Sequence, residues 1–79
     1  MKFGVKVMPR EVILDTQGRA VEQTLKHHSF DLKQCRVGRY IEIEVPEHDE
    51  GRAREQVKKM TEFVLYNPLL ENFEIQRLS

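Results

Sequence analysis

The sequence predicts an α/β fold in which two helices pack on one face of a small β-sheet, in the order strand, helix, long strand, helix, strand. Two observations lead to this prediction. Segments with apolar residues at every second position alternate with segments whose apolar residues recur every third or fourth position. An aspartate also precedes each helical segment, where it can act as an N-cap. No repeat or linker interrupts the 79 residues, so we expect one domain spanning residues 1–79.

The first strand and the first helix follow from local patterns. Phe3, Val5 and Val7 alternate with polar or small residues, which is the period of a strand with one buried face. Pro9 is expected to end this strand because proline donates no ladder hydrogen bond. Asp15 is expected to cap the helix that follows. The stripe of that helix predicted to face the sheet contains Gly18, Val21, Leu25 and His28.

The longest strand candidate covers residues 35–45 and contains one conflict. Apolar residues of one parity run through it, but Arg39 has the same parity and follows Gly38. A bulge or bend at Gly38 would turn Arg39 away from the core, so the segment is predicted to be one bent strand or two strands in a hairpin. A strand of this length is expected to extend beyond its neighbours and leave an end free to pair with another chain.

A second helix and a last strand complete the chain. Asp49 is the predicted cap, and the residue before Pro68 is biased away from helix, so this helix should end near Tyr66. Phe73 and Ile75 alternate with polar residues as the final strand. The inner stripe of the second helix is predicted to be Ala53, Val57, Met60 and Val64. The connection between the first two strands is long enough for a parallel, right-handed crossover.

Composition narrows the classes of function. A chain this short has a small core, and its single cysteine, Cys35, excludes an internal disulfide, so self-association is the expected means of stabilisation. The 13 basic and 13 acidic residues leave no surplus of positive charge for nucleic acid. No apolar run is long enough for a membrane span or a signal peptide, which favours the cytoplasm.

A search for chemistry finds no catalytic, cofactor-binding or metal-binding residue. The glycines are too scattered for a phosphate loop, and neighbouring helical residues such as His27 and His28 rarely chelate one ion together. The segment around the irregular strand is the candidate subunit interface, because arginine and tyrosine are enriched at such surfaces. The residues of this predicted interface are Arg36, Gly38, Arg39 and Tyr40.

These patterns leave three classes of protein open. An interaction module is favoured. A regulatory domain with an amino-acid or nucleotide pocket at a dimer interface is the alternative, and a nucleic-acid module would need a basic face.

Three blocks of the sequence resemble one known family. Residues 14–21 read Leu-Asp-Thr-Gln-Gly-Arg-Ala-Val, close to that family's Leu-Asp-Pro-Gln-Gly-x-Ala-Val. Residues 37–43 read Val-Gly-Arg-Tyr-Ile-Glu-Ile, similar to its Val-Gly-Lys-x-Ile-Glu-Leu, and residues 67–75 are similar to its Asn-Pro-x-x-Glu-x-Tyr-x-Ile ending. The family is PurS, a subunit of formylglycinamide ribonucleotide amidotransferase. Thr16 and Phe73 depart from its usual proline and tyrosine.

The resemblance implies a role in purine biosynthesis. A PurS-like subunit supplies no catalytic residue and binds no cofactor; it forms dimers or tetramers and bridges a synthetase (PurL-type) subunit and a glutaminase (PurQ-type) subunit. ATP and Mg²⁺ are used by the synthetase subunit. The resemblance therefore implies an assembly role within an ATP-dependent ligase complex.

Overall fold

The computed structural model describes all 79 residues and has three strands and two α-helices in the predicted alternating order. The elements are β1 (Lys2–Pro9), α1 (Thr16–His27), β2 (Arg39–Glu44), α2 (Glu50–Met60) and β3 (Glu71–Arg77), with a π-helical turn, Thr61–Leu65, continuing α2. The predicted caps are confirmed: Asp15 accepts from the Gly18 amide and Asp49 from the Arg52 amide. Neither helix is long and apolar enough to cross a membrane.

The sheet is antiparallel and has the strand order β2-β1-β3. The predicted parallel crossover between the first two strands is therefore wrong. The connection that contains α1 does not carry the chain across the face of the sheet. Instead, the chain returns as β2, which lies beside β1 and runs in the opposite direction. Since β2 and β3 both run antiparallel to β1, they run parallel to each other, and α2 is the crossover between them.

The core lies between the sheet and α2. Phe3, Val5 and Val7 of β1 are completely buried, and Ala53 and Val57 of α2 pack on them. Val45 completes this cluster. The partly buried residues packed around it are Met1, Ile41, Ile43, Tyr66, Phe73 and Ile75. The alternation of apolar residues in β1 is thus confirmed as the signature of a strand with one buried face.

Helix α1 lies outside this core. Gly18 is its only buried residue, and Val21 of its predicted inner stripe is 41% exposed. The molecule measures 48 × 26 × 15 Å and has a radius of gyration of 15.7 Å, whereas a compact domain of this length would have about 12 Å. Of the two helices, α2 covers the sheet, while α1 extends away from it with much of its apolar surface exposed.

Strand β2 is shorter than predicted. It begins at Arg39 and pairs with β1 along its whole length, from Val7 opposite Arg39 to Lys2 opposite Glu44. Residues 35–38 form no ladder, so the segment is neither a long bent strand nor a hairpin, and no free strand end is left for another chain.

Gly38 matters for a different reason: a Cβ there would overlap the carbonyl oxygen of Val7. The close approach to β1 requires glycine, and its φ is not positive.

The π-helical turn changes which residues of the second helix face inward. Met60 and Val64 were predicted to be core, but they are 42% and 71% exposed. Thr61 is buried instead, and its hydroxyl donates to the Val57 carbonyl at 2.8 Å. Thr61 follows Val57 by four residues, so the α-helical period keeps it on the buried face, whereas the π turn, which holds more residues than an α turn, rotates Val64 away from that face.

Candidate interaction surfaces

Arg39 remains on the same face of the sheet as the core. The ladder is continuous where Arg39 pairs with Val7, and its guanidinium reaches Glu71 of β3 at 2.8 Å. The predicted bulge that turns Arg39 outward is wrong. The arginine is tolerated because its side chain is half exposed at the end of the sheet and a carboxylate neutralises its charge.

The other predicted interface residues do not form one patch with Arg39. Tyr40 points to the opposite face of the sheet, where its ring lies over Gly4 so closely that a Cβ at Gly4 would overlap the hydroxyl. Arg36 donates to the Pro9 carbonyl and forms an ion pair with Glu11 at 3.3 Å, which ties the segment before β2 to the end of β1. The interface role of Arg36, Gly38, Arg39 and Tyr40 stays a prediction.

The turn before β3 is tightly closed by its own side chains. Asn67 accepts from the Leu69 amide through Oδ1 at 2.9 Å, and the Asn67 amide donates to Glu71 Oε1 at 2.8 Å. Glu71 Oε1 is the same atom that Arg39 contacts. Arg10 donates to the Pro68 carbonyl from the other side. The turn, the start of β2 and the end of β1 are thereby joined.

Asp15 joins α1 to the segment before β2. One carboxylate oxygen accepts from the Gly18 amide at 2.9 Å and the other from the Val37 amide at 2.8 Å. These two hydrogen bonds, with a smaller contribution from the charge of Arg36, hold the pKa of the Asp15 carboxyl below its usual range despite some desolvation. Gly18 lets the helix approach this segment, because a Cβ there would lie 2.5 Å from the Cys35 carbonyl oxygen.

These contacts surround a surface groove of about 420 Å³, which we call the junction groove. It lies between the start of α1, the segment before β2 and the turn before β3. Its lining residues are Pro9, Ile13, Leu14, Asp15, Thr16, Gln17, Val37, Gly38, Arg39, Asn67, Leu70 and Glu71. Ten of these twelve belong to the three sequence blocks 14–21, 37–43 and 67–75, which are far apart in the chain and meet here.

The junction groove offers contact surfaces of two kinds. Leu14 and Leu70 present apolar area, at 63% and 45% exposure, beside the Arg39–Glu71 ion pair. Sequence reasoning identified Arg39 and missed Leu14, Leu70 and Glu71. For Glu71 the sequence did contain a signal: Asn67 lies four residues earlier, a spacing at which the Glu71 side chain can accept from the Asn67 amide and close the turn.

The histidines at the end of α1 contact each other and the backbone of the helix. The rings of His27 and His28 lie 6.1 Å apart in an edge-to-face arrangement, and His28 Nδ1 hydrogen-bonds the Thr24 carbonyl at 2.9 Å. No group of three histidine, cysteine or acidic side chains is arranged to hold a metal ion. Cys35 is a partly buried free thiol.

The comparison with family models decides between the classes of protein left open by the sequence. The model of PurS, described as phosphoribosylformylglycinamidine (FGAM) synthase, matches residues 2–79. The chain belongs to the PurS family. Its membership accounts for the three blocks that meet at the junction groove, and it makes this chain a small subunit of FGAM synthase.

Individual relatives agree with the PurS assignment. The PurS subunit of phosphoribosylformylglycinamidine synthase from Thermotoga maritima is 33% identical over 78 residues, which cover 98% of this chain and 95% of the relative. The corresponding Synechocystis subunit is 36% identical over 77 residues, covering 94% and 77%. A chain in the solved structure of PurLQS from Thermotoga maritima superposes with a TM-score of 0.91 at 33% identity, covering 98% of this chain and 95% of that one.

Proposed function

We propose that this PurS chain is a non-catalytic subunit that bridges the synthetase and glutaminase subunits of FGAM synthase in the cytoplasm, and that it does so as a homodimer or a tetramer built from dimers. In this proposal ATP and Mg²⁺ are used by the PurL-type synthetase, and the chain itself binds no cofactor. The PurLQS structure of Thermotoga maritima, which by its name unites three subunits, supports such a bridge.

The observation that carries the proposal is the composition of the junction groove. Residues from all three family-like blocks converge on it, and the residues it presents are suited to contact: exposed leucines, amide side chains and a half-exposed arginine paired with a glutamate. Apolar area next to an arginine is typical of the centre of a protein interface. We therefore place the synthetase contact at this groove, with Arg39 as its central charged residue.

The test is reconstitution with PurL-type and PurQ-type subunits. We expect the three chains to elute together on gel filtration, and glutamine-dependent formation of formylglycinamidine ribonucleotide to require this chain. The chain alone should turn over neither ATP nor glutamine. A chain that never co-elutes, or whose omission leaves the glutamine-dependent rate unchanged, would contradict the bridging role.

The groove assignment is tested by Arg39→Ala. We expect the affinity for the partner subunits to fall about tenfold or more, with an unchanged circular dichroism spectrum. Arg77→Ala is the matched control, because Arg77 is also a half-exposed arginine paired with a glutamate, but at the opposite end of the sheet. Equal losses for the two variants would place the contact elsewhere.

A further inference from the structure

The hydrogen-bond acceptors of the junction groove are largely used within the chain, whereas several of its donors are free. Both oxygens of Asp15 accept backbone amides. Glu71 Oε1 accepts from the Asn67 amide and from the Arg39 guanidinium. By contrast, the side-chain NH2 groups of Asn67 and Gln17 have no partner in the chain, and Arg39 uses only one of its guanidinium nitrogens. A partner that fits the groove therefore has to supply acceptors.

The charges of the groove are matched to one another. The charged residues that line it are Asp15, Arg39 and Glu71. Glu71 neutralises Arg39 at 2.8 Å, so an acidic occupant would find no free cation and would approach two carboxylates. A basic occupant would have to compete with the donors already bound to those carboxylates. The charge distribution is therefore complementary to an uncharged occupant.

Exposed apolar side chains frame the groove. We call these four residues, which are 45–88% exposed, the apolar rim: Val12, Leu14, Leu69 and Leu70. They belong to the connection between β1 and α1 and to the turn before β3, and Arg10 joins the two, because its amide donates to the Leu70 carbonyl at 2.9 Å. Single exposed apolar residues are ordinary, but a cluster of them marks an interaction surface.

We propose that the junction groove and its apolar rim bind an uncharged, irregular segment of the synthetase subunit. Its apolar side chains contact Leu14 and Leu70, and its main-chain carbonyl oxygens accept from Asn67 and Arg39. A peptide main chain offers closely spaced acceptors without charge. Carbonyls inside a helix or a sheet are already hydrogen-bonded, so the segment must lie outside regular secondary structure.

This inference rests on the synthetase contact in the proposed function and specifies the chemistry of the partner. The contact is made by neutral hydrogen bonds and apolar area, with the Arg39–Glu71 pair kept intact. It should therefore depend only weakly on salt, because screening weakens interactions between exposed charges and leaves apolar contacts in place.

The hydrogen-bond component is tested with the full chain and the intact PurL-type subunit. Asn67→Asp keeps an oxygen that accepts from the Leu69 amide but replaces the NH2 donor with a second acceptor. We expect the affinity to fall about tenfold or more, with an unchanged circular dichroism spectrum. Asn72→Asp is the matched control, because Asn72 is an exposed asparagine outside the groove. An Asn67→Asp chain that binds as well as the Asn72→Asp chain would overturn the proposal.

The apolar component is tested by two leucine substitutions and by salt. Leu70 and Leu78 are 45% and 40% exposed, but Leu78 follows β3 at the opposite end of the sheet. Leu70→Ala should weaken binding about tenfold, and Leu78→Ala should leave it unchanged. The affinity of the unmodified chain should be nearly the same at low and high salt. A steep loss at high salt would show that charged groups dominate the contact and would overturn the proposal.

The identity of the segment is tested by photo-crosslinking in the assembled complex. With p-benzoylphenylalanine in place of Leu14, irradiation and peptide mapping by mass spectrometry should identify one stretch of the synthetase that lacks acidic and basic residues. A crosslink to a charged stretch, to the glutaminase or to a second copy of this chain would overturn the proposal and leave the bridging role standing. A chain that binds no synthetase at all would contradict both.

Discussion

At the scale of single residues, Asp15 contributes more than a helix cap. Its two oxygens accept from the amides of Gly18 and Val37, so one carboxylate both starts α1 and joins it to the segment before β2. The cap was predictable from Asp15 alone, since an aspartate before an amphipathic segment is a local signal. The bond to Val37 was not, because it joins residues 22 positions apart and depends on how the chain returns from α1 to the sheet.

The lowered pKa of Asp15 predicts a pH dependence of stability. In the unfolded chain the carboxyl has an ordinary pKa, so over the acidic range the unfolded state binds more protons than the folded state. The stabilisation is complete above the ordinary aspartate pKa and is lost as pH falls through the lowered pKa of the folded state.

Asp15→Asn should therefore lower the melting temperature at neutral pH, and the difference from the unmodified chain should shrink in acid. Melting curves across the acidic range measure this, with Asp31→Asn, at an exposed aspartate, as the control. A difference that is the same at every pH would show that the charge of Asp15 is unimportant.

Gly38 and Gly51 give a matched test of close packing. A Cβ at Gly38 would overlap the Val7 carbonyl oxygen, a backbone atom that moves only with β1, so Gly38→Ala should destabilise the fold by about 1–3 kcal/mol. A Cβ at Gly51 would meet only Asp49 Oδ2, at 3.4 Å, and alanine favours helix, so Gly51→Ala should stabilise by up to about 1 kcal/mol. Urea denaturation of both variants checks the opposite signs, and two equal changes would contradict the argument.

At the scale of elements, the π-helical turn decides which residues after Thr61 leave the buried face of the second helix. A uniform 3.6-residue period places Val57 and Val64 on the same stripe, but the wider turn at Thr61–Leu65 moves Val64 off that stripe and leaves it exposed. A periodicity argument assumes one helix type from end to end, so it cannot detect this change.

Two valine substitutions test the exposure of this stripe. Val57→Ala removes two buried methyl groups next to β1 and should cost about 2 kcal/mol. Val64→Ala makes the same chemical change on the surface and should cost less than about 0.5 kcal/mol. Chemical denaturation measures both, and a loss at Val64 as large as that at Val57 would mean that Val64 is buried, within the chain or between copies.

At the scale of the whole molecule, the chain divides into a sheet covered by α2 and an arm formed by α1. Only nine residues are buried, and the arm contributes just one of them, Gly18. Stability is unevenly distributed in such a molecule, because segments with few buried apolar contacts open at lower free energy than the core.

Hydrogen exchange should reveal this division. We expect the amides of α1 to exchange faster than those of β1, because α1 has only one buried residue whereas three side chains of β1 are completely buried. Equal protection of α1 and β1 under all conditions would mean that α1 is held by contacts within the chain.

The sequence by itself determined the local features of this protein. Alternation identified the face of β1 that contains Phe3, Val5 and Val7, the aspartates marked both helix starts, and the three blocks identified the family, because each of these signals is contained in a short stretch of chain. Only the tertiary structure decided what depends on distant contacts. It made the sheet antiparallel, kept Arg39 on the core face beside Glu71, and brought the three blocks together at the junction groove. It also showed that α1 lies outside the core. The sequence could not predict this, because helical periodicity shows that a face is apolar but not whether the surface that covers it belongs to the same chain or to another.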